Sequence, residues 1–263
     1  MNTALRVLPP VLRDALRGRW LVGLLATLLL IGELLLRFSG GGATTRVSLL
    51  DVVLILTPLI GLVVGTMQVH HAREMTELLL AQPIARRTLF VALYLGTALP
   101  LAAVVVVGLL APFLWHGMLL GDALVPMLAL ASAAAGLAML STALAFVIAL
   151  GADDKVRALG IALGVWLVTA VLWDGVLLLL ALLFGDRPIE LPMLVMLALN
   201  PFDLARVLLL LGSDAAALLG YTGAVVQRSL GSSGGRVMLV SLLALWLVVP
   251  CVIAARSFAR KDF

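Results

Sequence analysis

The ionisable residues of this chain are few, and those that could do chemistry stand apart from one another. Glu33, Asp51 and Asp174 sit in or beside three different apolar runs. An enzyme working inside a membrane needs several ionisable groups at one depth, and these three supply none. Asp174, in "VLWDGVLL", is the deepest. A charge at mid-span costs about 2.5–3.5 kcal/mol and therefore faces a bundle interior or a cavity. Two roles stay open for it, a part in gating or a pathway and a structural hydrogen bond. Glu33 precedes Arg37 by one helical turn, the spacing of an ion pair. No G-x-x-x-x-G-K-[ST] or H-E-x-x-H is present. The one cysteine, Cys251, lies in an apolar run and gives neither a disulfide framework nor a thiolate cluster. Thioether and imidazole suit copper(I). His116, Met118, Met193 and Met196 are nevertheless spread out, and Met also fills apolar gaps. The expectation is no catalytic, metal or cofactor residue in this chain.

A second group of charges is more densely spaced. In "REMTELLLAQPIARRTLF" (Arg73 to Phe90), Met75, Leu78, Leu79 and Gln82 fall on one helical face. Arg73 and Glu77 form an i,i+4 pair on another, and Pro83 forbids continuation. The pattern describes an amphipathic helix over 72–82. It could anchor at the interface or transmit motion to the apolar runs on either side.

The elements that hold these residues follow from composition. Of 263 residues, 63% are hydrophobic and 12% charged, against about 45–50% and 25% in soluble domains. The fold class expected is an all-α integral membrane protein, a single transmembrane domain over 1–263. Six runs reach the roughly 20 residues that a span needs, near 20–38, 49–69, 88–114, 123–150, 159–184 and 237–255. The first exceeds the h-region of a signal peptide, so it reads as a span. Twelve of the 18 Lys and Arg fall on one side if the N-terminus is inside, so both termini are expected in the cytoplasm, in a bacterial-type inner membrane. "PPVLRDALRGRW" (Pro9 to Trp20) reads as an N-terminal interfacial helix, or as an ordinary basic tail.

Pro58, Pro100, Pro126 and Pro250 are expected to kink their spans. "SAAAG" (Ser132 to Gly136) and "GIALG" (Gly160 to Gly164) are expected to mark close helix packing. The region 185–236 is expected outside, as short helices on the membrane surface. There Asn200 is the N-cap, Pro201 the first helical residue and Asp203 near N3. With Arg206, these residues form a candidate docking surface for an extracytoplasmic partner, or a cover for the outer mouth.

"ELLLAQPIARRTLFVALYLG" (Glu77 to Gly96) resembles the segment after the second span in ABC-2 type ABC-transporter permeases, with Glu74, Met75 and Leu93 departing from the usual pattern. The resemblance implies that 72–82 is a cytoplasmic coupling helix, contacting an ATPase subunit through Arg73, Met75, Glu77, Leu78, Leu79, Gln82 and Pro83. "RDALRGRW", "GIALGVW" with "WDGVLLLL", and "LNPFDLARVLLLLGSD" are similar to permeases of the NosY type, which serve the maturation of copper-containing nitrous oxide reductase. That similarity implies a homodimer, a NosF-like ABC ATPase carrying ATP and Mg, and a β-helical NosD-like protein outside. An ABC-2 exporter of a lipid, drug or glycan is the alternative within transport. A membrane-embedded enzyme or scaffold without ATP coupling is the alternative outside it.

Overall fold

The computed structural model describes residues 18–38, 43–73, 76, 85–118, 121–184, 190–211 and 231–261. Among these residues the chain is helical, with no strand. Four long helices come first: α1 (Arg19–Phe38), α2 (Ala43–His71), α3 (Arg86–Trp115) and α4 (Leu124–Gly151). The fifth span starts as α5 (Lys155–Trp166), widens into a π-helical stretch (Leu167–Leu172), and ends as α6 (Trp173–Phe184). Two short helices, α7 (Glu190–Leu199) and α8 (Pro201–Leu211), precede the last span, α9 (Ser233–Arg260). Six helices are long and apolar enough to cross a membrane, as the sequence implied.

Local chemistry sets several of the ends. Asp154 caps α5 by accepting from the amides of Val156 (3.2 Å) and Arg157 (3.3 Å). The Ser232 hydroxyl does the same for α9 at Gly235 (3.1 Å). Pro126 falls in the first turn of α4. Its missing N–H has no helical partner there, so the kink expected at this residue has no cause. Pro58, Pro100 and Pro250 are inside their helices.

Packing centres on α4, which runs along α2, α3 and α9, while α1 leans on α3. The core joins Leu28, Val53, Leu101, Leu109, Met127 and Leu137. A second cluster stacks Phe90, Tyr94, Phe146 and Phe258, with ring centroids 5.8–6.1 Å apart. The Tyr94 hydroxyl donates to the Met139 carbonyl at 3.0 Å.

Close helix approach occurs where two small residues face a partner, but not at the pairs expected. A Cβ at Gly136, Gly160 or Gly164 would meet nothing within 4 Å. The tight contact is at Gly61 and Gly65 of α2. A Cβ on Gly65 would come 2.7 Å from the Ala145 Cβ, and one on Gly61 would strike Ser141. "GLVVG" (Gly61 to Gly65) is the small-xxx-small pair that lets α2 lie against α4. Gly32 of α1 admits Pro112 of α3 in the same way. The fifth span is the most exposed of the six, with 6% of its apolar window buried.

The region between the fifth and last spans departs from the expectation. α7 and α8 meet at Asn200 with a bend of 112°. Asn200 Nδ2 donates to the Thr169 carbonyl (2.7 Å), and Trp246 Nε1 to the Ala198 carbonyl (2.9 Å). Thr169 and Trp246 each stand at the middle of their spans. At the far end of α8, the Leu211 carbonyl accepts from Arg236, in the first turn of α9, at 3.3 Å. The pair is therefore a re-entrant hairpin, dipping to mid-depth and returning, rather than helices lying on the surface. Each arm of about ten residues spans about 15 Å, half of a hydrocarbon core. A further helix, which the sequence would start at Ser213 or Asp214, lies outside the described residues, as does most of the N-terminal segment Pro9 to Trp20.

Candidate functional site

Two polar constellations stand out, one halfway across the membrane and one at an end of the bundle. The first is built on the re-entrant tip. Asn200 is fully buried and caps α8 as expected, its Oδ1 accepting from the Phe202 amide at 3.1 Å. Its Nδ2 also donates to Asp203 Oδ2 at 3.0 Å. One turn further on, Arg206 Nη1 lies 2.6 Å from Asp174 Oδ2 and 3.8 Å from Asp203 Oδ1. Asp174 opens α6. The deep aspartate is thus paired with a residue that the sequence placed outside the membrane.

The π stretch is what makes the junction. A wide turn uncouples backbone carbonyls from their ordinary i→i+4 partners, and the Thr169 carbonyl within it receives Asn200. At its leading edge Trp166 Nε1 donates to the Ile55 carbonyl of α2 (3.0 Å), in the turn that Pro58 weakens. The fifth span is so tied to α2 on one side and to the hairpin on the other. Arg206 Nε and Trp173 Nε1 are buried here without a partner among the described residues.

This geometry corrects the docking surface expected at 200–206. Asn200, Pro201 and Asp203 are buried, and the Arg206 side chain is 23% exposed. A helix that packs against α4 and α9 turns these side chains inward, so they hold the hairpin and present no surface.

Glu33 pairs with Arg37 at 2.8 Å, as the spacing implied, and also accepts from Trp115 (3.2 Å) and contacts His116 (2.9 Å). It ties the end of α1 to the end of α3. Asp51 is exposed on α2.

The second constellation gathers the opposite ends of the spans. Lys155 Nζ meets His71 Nε2 at 3.1 Å, and Arg73 Nη1 reaches the Asp153 carbonyl at 3.4 Å. Arg86 donates to the carbonyls of Ala259 (3.2 Å) and Lys261 (2.8 Å), and Lys261 Nζ to that of Leu150 (2.7 Å). Burial, and then the nearby Arg73 charge, push the Lys261 amine below its ordinary pKa. The Ala72 amide donates to the Gln68 carbonyl (2.9 Å), and the Thr76 amide to that of Ala72 (2.8 Å). Both bonds have the i→i−4 spacing of a helix, which ties Thr76 to the end of α2. Of the expected contact residues, Arg73 stands at this end, while Met75, Glu77, Leu78, Leu79, Gln82 and Pro83 lie outside the described residues.

Sequence reasoning missed Trp166, Thr169 and the Asp174–Arg206 pair. The available signal was two opposite charges in otherwise apolar surroundings, which demand each other in a membrane. Among the described residues, no group of three or more His, Cys, Asp or Glu could hold a metal ion.

Residues 12–263 match the family model described as ABC-2 family transporter protein. The chain is 29% identical to the probable ABC transporter permease protein NosY of Stutzerimonas stutzeri, over 99% of both chains. It is 33% identical to the protein of the same name in Pseudomonas aeruginosa, over 95% of both.

Proposed function

The chain belongs to the ABC-2 transporter family and is a membrane permease subunit of an ABC transporter; from this we propose how it is driven and what it serves. A permease of this kind works with an ABC ATPase. The proposed contact is the segment 72–82 on the cytoplasmic side, with Leu78 and Leu79 as apolar anchors and Arg73 and Glu77 as the polar rim. ATP and Mg belong to the ATPase, and this chain supplies no catalytic residue. The observation that carries the reading is the pair of helix-type bonds beyond α2, from the Ala72 amide to Gln68 and from the Thr76 amide to Ala72. A displacement of 72–82 moves α2 as a lever, and α2 is the helix most intimately packed on α4. Through Trp166 and Ile55 it also pulls on the π stretch and the hairpin. The open face of the fifth span, with room at Gly160 and Gly164, supports pairing with a second copy.

In the proposed assembly, motion generated inside reaches the Asp174–Arg206 junction and is read outside by a β-helical partner. The process served is maturation of a copper enzyme, a reading supported by similarity to permeases named NosY. The test is co-expression with a partner ABC ATPase. The ATPase should co-purify with the permease and hydrolyse ATP faster in its presence. Absence of both effects overturns the coupling. A strain lacking this chain should make nitrous oxide reductase deficient in copper, and a fully copper-loaded enzyme from that strain overturns the process.

A further inference from the structure

A cavity of about 610 Å³ lies between α2, α4, α8 and α9, with walls that are mostly apolar. Its floor is a face of α4 that carries Ala129, Ala133 and Gly136. A Cβ at Gly136 would meet nothing within 4 Å. These small residues leave room along the helix instead of admitting another helix. The groove ends at Leu140 and Leu247, each near the middle of its span. At its other end stand Arg46 and Arg236, in the first turns of α2 and α9. The groove therefore covers one leaflet, with two guanidinium groups at the headgroup level and hydrocarbon walls below.

We propose that this groove binds an anionic phospholipid, one acyl chain lying along α4 and the phosphate held by Arg46 and Arg236. Charge and shape agree on this occupant. A guanidinium offers five N–H donors in a fork that fits phosphate. Arg236 uses Nη2 on the Leu211 carbonyl, which holds it at the rim and leaves its other donors for a ligand. Among the described residues neither arginine is paired with a carboxylate. The volume falls within the range of about 300–1,000 Å³ typical of small-molecule sites. Among the described residues its walls carry no His, Cys or Met, so they offer a soft metal ion no ligand. Val125, 75% exposed, and Val240, 53% exposed, flank the opening, giving a chain entry from the side, within the membrane. A bound lipid would brace α8 against α4 and α9, the helices that hold the re-entrant hairpin.

The test is native mass spectrometry of the delipidated full-length protein, titrated with phosphatidylglycerol or with phosphatidylcholine of the same acyl chains. Phosphatidylglycerol should bind at least ten-fold more tightly. The double variant Arg46→Gln/Arg236→Gln should bring the two lipids to equal affinity, and Arg46→Lys/Arg236→Lys should keep part of the preference. Gly136→Leu, which fills the groove, should weaken both lipids ten-fold or more at an unchanged unfolding midpoint. Equal binding of the two lipids by the wild type overturns the proposal, as does a preference that survives the double Gln change. If Gly136→Leu leaves lipid binding intact and lowers the dimer fraction, the groove belongs to a second copy. If lipid affinity rises on removal of residues 213–229, that segment is the occupant. Either result overturns the proposal too.

Discussion

Arg206 Nη1 and Asp174 Oδ2 lie 2.6 Å apart although 32 residues separate them. The contact fastens the start of α6 to the rising arm of the re-entrant hairpin. Removing Arg206 leaves two carboxylates, Asp174 and Asp203, without their cation, whereas neutralising Asp174 leaves Arg206 with Asp203. Arg206→Leu should therefore lower stability more than Asp174→Asn, by about 1.5–3 kcal/mol, the range for hydrogen bonds to charged groups. The exchange Asp174→Arg/Arg206→Asp should recover part of the loss. Thermal unfolding in detergent reads all three. Equal midpoints for Arg206→Leu and wild type would remove the pair as a structural fastening.

Asn200→Ala should act through the backbone. It deprives the Thr169 carbonyl and the Phe202 amide of their partner at a buried tip, at a cost of about 1–3 kcal/mol. Stability should fall while co-purification with the ATPase is unchanged, because the tip meets the middle of the fifth span whereas Arg73 meets Asp153 at that span's start. Loss of the ATPase at wild-type stability would contradict this division.

At the proposed contact, Leu79→Asp should separate permease from ATPase, since burying a Leu is worth roughly 1.5–3 kcal/mol. Glu77→Ala should only weaken coupling, as an exposed pair gives about 0–1 kcal/mol. Both proteins should still insert. A full complement of stimulated ATPase on Leu79→Asp would move the contact elsewhere.

Gly65→Val places new atoms against Ala145 and the Thr142 backbone, and overpacking of this kind costs about 1–3 kcal/mol. Gly160→Ala meets open space and should leave the unfolding of the protomer unchanged. The reverse order in a thermal melt would contradict the α2–α4 contact.

Orientation is testable with single cysteines on a Cys251→Ala background. Thr76 is buried, so exposed Asp153 is the better reporter of the 72–82 side and Ser232 of the other. Ser232→Cys should react with an impermeant reagent in intact cells, and Asp153→Cys only after lysis. Reaction of Asp153→Cys in intact cells would invert the topology.

The six spans were legible because a run of about 20 apolar residues has one use in a polar solvent and another in lipid. The cap at Asn200 was legible too, since Asn-Pro at a helix start is a local matter. What lies opposite a given residue was not. "GLVVG" at Gly61 and "SAAAG" at Ser132 carry the same spacing, yet only the first meets another helix. The hairpin was misread for a related reason. An apolar helix of ten residues has the same sequence whether it lies on the surface or dips inward. Placing it outside put Arg206 in water, which concealed its pairing with Asp174.

The widened turn at Leu167–Leu172 makes length equivalent to direction. An α-helix turns by about 100° and advances 1.5 Å for each residue. A π segment holds one residue more than that schedule allows. Winding the same residues as ordinary α-helix, with none removed, would swing everything beyond them by about a quarter turn. Asp174 would then point away from Arg206, although no atom of either had been altered. The aim of the carboxylate is thus stored in the winding of residues several positions before it.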